Sequence, residues 1–410
     1  MTRAERHWIL YDVANSAFVL RATTVIPIYF ASLAPGSAVV AWGYAETVAS
    51  LVVALLMPIL GSLADFKGNK LKFLIGFFGT GVVACLALAL PLTWVPFILI
   101  YIVASIAFSS STVFYDAMLV DVTTDDRMDM VSSHGYAWGY VGSTIPFIIC
   151  IAIIFLGPQF GLETVLATRV SFVITAAWWF VFTIPLIRSF EQMHYKERIH
   201  GEVRNTLHEL KGTLRKIYAD KAIFLFMIAF FFYIDGVHTV IKMATTYGTD
   251  LGIDSTQLIL ALLVTQFVAF PSAIIYGRLA KRFGTRKMIV IAVVAYTLIV
   301  LFAAFFLKSA REFWMLAILV GLFQGGIQAL SRSYFGRLVP KEHSNEFFGF
   351  FDIFGKYAAV LGTLLVAGIT HLTGIPQLGI LSVAILFVVG LVILLRMPAT
   401  RADLLEAESR

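Results

Sequence analysis

Gly61-Ser62-Leu63-Ala64-Asp65-Phe66-Lys67-Gly68-Asn69-Lys70 closes one apolar run of the sequence. Gly277-Arg278-Leu279-Ala280-Lys281-Arg282-Phe283-Gly284-Thr285-Arg286-Lys287 closes another. Gly61 aligns with Gly277, Gly68 with Gly284 and Lys70 with Arg286. Farther along, Tyr115 aligns with Tyr334, and Gly135 and Gly142 with Gly355 and Gly362, at nearly the same separation. Self-similarity at about half the chain length makes this sequence two copies of one unit. The residue types have physical jobs. Gly61 permits close helix approach, and Asp65 is placed to cap a neighbouring helix N-terminus or to pair with a basic group. Gly68 allows a turn, and Lys70 and Lys72 stand at an interface. The second copy carries Lys281 where the first has Asp65, so it is expected to lack that charged latch.

Working outward, the 410 residues are 59% hydrophobic and only 14% charged. Soluble domains carry about a quarter charged residues, and a large folded surface needs that polar cover. Apolar segments of membrane-spanning length recur throughout, and inside lipid such segments must be helical to satisfy their own backbone groups. Twelve spans are expected. They lie near 8–33, 39–64, 72–91, 95–120, 133–156, 165–187, 221–248, 256–280, 286–307, 312–336, 346–371 and 376–396. Pro35-Gly36, Gly68-Asn69 and Gly157-Pro158 punctuate the gaps. The first run contains Asp12 and Arg21, which a secretory signal core would not tolerate, so it reads as a mature first helix.

Charge placement gives orientation. Most of the 31 Lys and Arg fall in the N-terminus, the even-numbered loops and the C-terminus, while the odd-numbered loops hold only Arg169, Lys308 and Arg311. Both termini are therefore expected in the cytoplasm. The net charge of +6 is accounted for by these loops and calls for no nucleic acid. The expected organisation is a six-helix bundle over 1–187, a cytoplasmic linker over 188–220 and a second six-helix bundle over 221–410 with a short tail. The linker mixes charges at helical spacing and is read as either an amphipathic surface helix or a solvated connection. Cys85 and Cys150 lie in apolar runs and give no disulfide framework.

Two same-topology halves related by an axis along the membrane normal resemble the major facilitator superfamily, whose substrates bind near the midplane between the halves. Gly-x3-Asp-x2-Gly-x-Lys at 61–70 resembles that superfamily's loop between helices two and three. A closer resemblance is to its vacuole-effluxer-like branch. It rests on Tyr11-Asp12-Val13-Ala14-Asn15-Ser16-Ala17 with Pro27-Ile28-Tyr29-Phe30, on Tyr115-Asp116-Ala117 with Gly139-Tyr140-Val141-Gly142, and on Asp235-Gly236-Val237-His238-Thr239. Gln328-Ala329-Leu330-Ser331-Arg332-Ser333 and Phe347-Phe348-Gly349-Phe350 complete it. The resemblance implies the fold and a transport function, with amino acids as the favoured cargo. Arg21 is no part of the shared pattern.

Charges inside spans are costly and mark candidate sites. Asp235, His238 and Lys242 share one helix face, and the repeat places Arg21 level with them on helix one. The superfamily resemblance implies that helices one and seven face each other across a cavity. Arg21, Asp235, His238 and Lys242, with Asn15 and Tyr233, are therefore candidate substrate contacts. Arg21 would grip a carboxylate or phosphate. Asp235, His238 and Glu46 are candidates for a coupling proton. The bland alternative is a structural ion-pair cluster between helices one and seven. Nearer the cytoplasmic mouth, Asp116, Arg332, Asp352 and Lys356 form a candidate inner gate, with Arg332 expected to pair with Asp116 or Asp352. Gly61, Asp65, Gly68 and Lys70 form the signature loop.

The expected function is secondary active transport of a small polar or zwitterionic metabolite by alternating access, coupled to protons or sodium. A lipid, drug or other organic anion is the alternative cargo. No Gly-x4-Gly-Lys-Ser/Thr loop is present to bind ATP, and no His-Glu-x-x-His to support a metalloprotease, so a membrane enzyme is disfavoured. A non-transporting receptor on the same fold is the other class considered. No cofactor or metal is called for. The chain is expected to act as a monomer in a bacterial plasma membrane.

Overall fold

The computed structural model describes residues 1–34, 38–197, 206–357, 360–400 and 403. The described residues are almost entirely helical. α1 (Arg3–Thr23) and α2 (Val25–Leu33) form one broken span, followed by α3 (Ala38–Ala64) and α4 (Lys70–Ala87). α5 (Trp94–Ala117) continues through a short α6 (Leu119–Val122), and α7 (Met128–Leu156) and α8 (Thr164–Ser189) complete the first repeat. α9 (Thr206–Ala219) lies in the linker. The second repeat contains α10 (Lys221–Asp250), α11 (Ser255–Phe283), α12 (Thr285–Phe306), α13 (Ala310–Leu338), α14 (Ser344–Tyr357), α15 (Val360–Thr373) and α16 (Pro376–Arg396). Among the described residues, eleven stretches are long and apolar enough to cross a membrane, or twelve with the bent α1–α2 pair taken as one span.

The first span departs from the expected single helix. α1 and α2 meet at an angle of 41° around Thr24. Pro27 lacks the N–H that would bond the Thr23 carbonyl and crowds it sterically, and Thr23-Thr24-Val25-Ile26 places four β-branched residues just before it. The Thr24 hydroxyl bonds back to the Leu20 carbonyl, helping to satisfy the open end. The span also begins earlier than expected, because Thr2 and Glu5 form a capping box at Arg3.

The chain forms two compact units. One comprises Met1–Thr123, Trp138–Leu207 and Lys341–Phe350; the other comprises Thr124–Ala137, His208–Pro340 and Phe351–Arg410. In the first, α1 packs on α8, α3 on α5, and α4 on both α5 and α8. In the second, α10 packs on α16, α11 on α13, and α12 on both α13 and α16. These pairings correspond one for one under the sequence repeat. Packing faces are small and apolar, as along Ala45, Ala49, Val53 and Met57 of α3, all buried at every fourth position. Large apolar side chains such as Ile28, Leu55 and Phe155 point outward, where lipid rather than water is their solvent. Gly81 meets the Trp179 ring so closely that a Cβ there would lie 2.5 Å from it.

Candidate functional site

The signature loop packs against the start of α14. Gly68 adopts φ +73°, which a side chain would resist. Asp65 is fully buried. Its carboxylate accepts hydrogen bonds from the backbone N–H groups of Asn345 at 2.9 Å and Glu346 at 3.1 Å, and from the Asn345 side-chain amide at 2.8 Å. Those backbone groups belong to the first turn of α14, which otherwise would leave them unsatisfied. Burial pushes the Asp65 carboxyl up to about 6, against the opposing pull of Lys70, Lys196 and the Asn345 bonds. Gly61 makes the approach possible, since a Cβ there would fall 2.5 Å from the Asn345 carbonyl oxygen. Lys70 reaches Asp121 at 2.5 Å and the Ser344 hydroxyl at 3.0 Å, and Lys196 reaches Glu346 at 3.2 Å.

Asp65, His343 and Glu346 offer donor atoms within 4.8 Å of one another. A metal ion does not suit them. The Lys196 ammonium already neutralises Glu346, and both Asp65 oxygens accept N–H bonds.

The second copy of the loop lies beside a buried acid from elsewhere in the chain. Asp129, in the first turn of α7, is buried and accepts from the Ser333 and Thr285 hydroxyls at 2.5 Å each and from Arg337 at 2.8 Å. Gly277 stands where Gly61 stands in its own copy: a Cβ would lie 2.7 Å from the Ser133 hydroxyl and 3.2 Å from the Asp129 carbonyl oxygen. Arg332 is buried nearby. Its guanidinium donates to the Ser132 hydroxyl at 2.9 Å and the Ser132 carbonyl at 3.0 Å, and lies 4.4 Å above the Tyr136 ring. Asp116 and Asp352 are half-buried, and the Lys356 side chain lies outside the described residues.

Arg21 is 2% exposed, inside the first unit. One amino group donates to the Ser171 hydroxyl. Among the described residues its other amino nitrogen, Nη2, has no hydrogen-bond partner. Cys150 and Cys85 flank it, their thiols turned to the Ser171 and Phe172 carbonyls. Arg21 occupies the last turn of α1, so the carbonyl dipoles at that helix end offset part of its charge.

Asp235 belongs to the second unit and is fully buried. It accepts the backbone N–H groups of Leu361 at 3.1 Å and Gly362 at 2.7 Å, and the Thr239 hydroxyl at 3.2 Å. It therefore ties α10 to α15. His238 is half-buried and Lys242 exposed. Tyr233 exchanges a 2.6 Å bond with Ser331. Asn15 is buried beside Ser16, and exposed Glu46 accepts from Tyr101.

Residues 41–404 match the family described as "Vacuole effluxer Atg22 like". The chain belongs to that family. The relative named "Uncharacterized MFS-type transporter YxiO" in Bacillus subtilis is 47% identical over 412 residues, covering 97% of this chain and 95% of that one. Autophagy-related protein 22-1 of Sclerotinia sclerotiorum is 25% identical over 297 residues, covering 64% of this chain and 49% of its own length. The chain thus spans about half the length of its fungal relatives. Among solved structures, the transporter FucP in its outward conformation superposes with a TM-score of 0.74 at 10% identity, over 97% of this chain and 99% of that one. The human organic anion transporter MFSD10 gives 0.70 at 13% identity, over 96% and 99%. These likenesses establish the fold: two six-helix repeats of the major facilitator type. As a vacuole-effluxer-like protein the chain is an integral membrane transporter and not an enzyme.

Asp129 is not singled out by sequence reasoning, because an acid at the start of a span looks like ordinary interfacial charge. Its one signal is the missing acid in the second loop copy. The bonds that Asp235 makes to α15 need tertiary structure to be seen.

Proposed function

We propose that this transporter carries a small metabolite bearing a carboxylate, with amino acids or short peptides favoured, by proton-coupled alternating access. The observation that carries this reading is Arg21, a buried guanidinium at a helix break with no carboxylate partner among its described bonds and Nη2 unused. A membrane-embedded cation is costly unless something anionic meets it during the working cycle. Arg presents a planar fork suited to carboxylate. The family's effluxer description supports a transport role. A broader organic anion is the second reading, favoured by the same guanidinium and by the fold shared with MFSD10, itself an organic anion transporter. Asp235, His238 and Glu46 remain the candidate proton carriers. The Asp65 and Asp129 clusters are the proposed inner latches, made in one state of the cycle and parted in another, with Arg332 beside the second. The termini and both latches are assigned to the cytoplasmic side of a bacterial plasma membrane.

The test is flux into proteoliposomes of a mixed radiolabelled amino-acid pool, with and without an imposed pH gradient. Wild-type protein should show gradient-driven flux, Arg21→Ala should lower it at least about tenfold, and Arg21→Lys should leave it partly impaired. Equal flux in wild type and Arg21→Ala would remove the carboxylate site. Flux of other organic anions, with none of amino acids, would select the second reading.

A further inference from the structure

The proposed transport site leaves α9 (Thr206–Ala219) without a role. Its described face divides cleanly. Thr213 and Ile217, one turn apart, are buried in the second unit. Leu214 and Tyr218, also one turn apart, are 51% and 73% exposed. Arg215 is exposed as well, about 60° around the helix from Tyr218 at about 100° per residue. Lys216 is exposed on the far flank, away from Leu214 and Tyr218. An apolar pair with a flanking cation, left uncovered, is the pattern of a helix lying in a membrane interface.

Position reinforces pattern. One residue, Asp220, separates α9 from α10, and it caps α10 by accepting the Ala222 and Ile223 N–H groups. The membrane span therefore starts within a few ångströms of the end of α9. The Tyr218 ring meets Phe224 of that span edge-on, centroids 5.3 Å apart. The exposed Tyr218 of α9 thus meets the first turn of the membrane span α10. Lys221, exposed at the start of the span, adds a second cation at the same level.

We propose that α9 is an interfacial anchor, seating Leu214 and Tyr218 at the acyl boundary and binding anionic phospholipid headgroups through Arg215 and Lys221. The anchor fixes the linker to the leaflet from which the second repeat begins.

Hydrogen exchange of the full chain in nanodiscs tests this without knowledge of the cargo. Amides of residues 212–219 should exchange at least about fivefold more slowly in phosphatidylglycerol than in phosphatidylcholine discs, since each cation near an anionic surface contributes about that factor. Arg215→Glu should remove most of the difference, Lys216→Glu less of it, and about 0.5 M salt should weaken it. Leu214→Ser with Tyr218→Ser should speed exchange in both lipids. Exchange within α12 should be unchanged in every variant, which separates loss of the anchor from loss of the fold. Identical exchange in the two lipids would overturn the headgroup site. Unchanged exchange in the double serine variant would overturn the seating of the apolar face, and a larger effect from Lys216 than from Arg215 would overturn the helix orientation.

Discussion

Asp65 shows how much one side chain can organise. Three N–H donors converge on it, yet burial outweighs them and raises its carboxyl to about 6, above the ordinary value near 4. The folded state therefore holds its proton more tightly than the opened one. The resulting stabilisation is fully present below about pH 4 and lost as pH rises toward about 6. It amounts to about 3 kcal/mol for this group alone. Thermal melts of wild type and Asp65→Asn should converge toward neutral pH and diverge in acid, with the wild type gaining. Parallel pH profiles would contradict this assignment. Asp65 is legible from the sequence because its function needs only a loop, an acid and a helix start. Arg21 is legible as costly but not as to direction: nothing in the one-dimensional pattern says that it turns to Ser171 and two thiols.

Among the elements, glycine contacts mark where helices must touch. The repeat mates Gly142 and Gly362 hold equivalent places. A Cβ at Gly142 would fall 2.6 Å from Val13 Cα, and one at Gly362 2.1 Å from the Thr239 hydroxyl and 2.7 Å from an Asp235 oxygen. Gly362→Ala should cost about 1–3 kcal/mol by overpacking. It should also loosen the two N–H bonds that Asp235 receives from α15. Adding Thr239→Ala should recover part of the lost melting temperature by opening space, and a double variant no better than Gly362→Ala would argue against this contact. The same periodic reading that finds the spans misses the break at Thr24. Its cause, Pro27 after four β-branched residues, is present in the sequence. Hydropathy averages over such local events, and the break emerges only when backbone hydrogen bonds are followed one by one.

On the scale of the whole molecule, the division of the chain does not follow the repeat alone. Residues 124–137 belong to the unit built mainly from the second repeat, and 341–350 to the unit built mainly from the first. Hydropathy and the repeat reveal twelve spans and two halves, because composition and period encode those. The traded segments depend on side chains far apart in sequence, such as Asp65 with Asn345 and Asp129 with Arg337. A chain split between Leu207 and His208 should yield two fragments that co-purify in near-equal amounts when expressed together. Expressed singly, each should be unstable in mild detergent, since it lacks a segment of its own unit. Two independently stable, monodisperse fragments would show that the traded segments contribute little.

The two loop copies have drifted into different kinds of fastening. Asp65 holds by directed hydrogen bonds to backbone, which weaken steeply once distance or angle departs from a narrow range. Asp129 answers Arg337 with opposite charge, and that attraction fades only gradually as the groups separate. Duplication has left two unlike fastenings, one chiefly through backbone donors that no substitution short of proline deletes, the other through side-chain donors that a single substitution can remove.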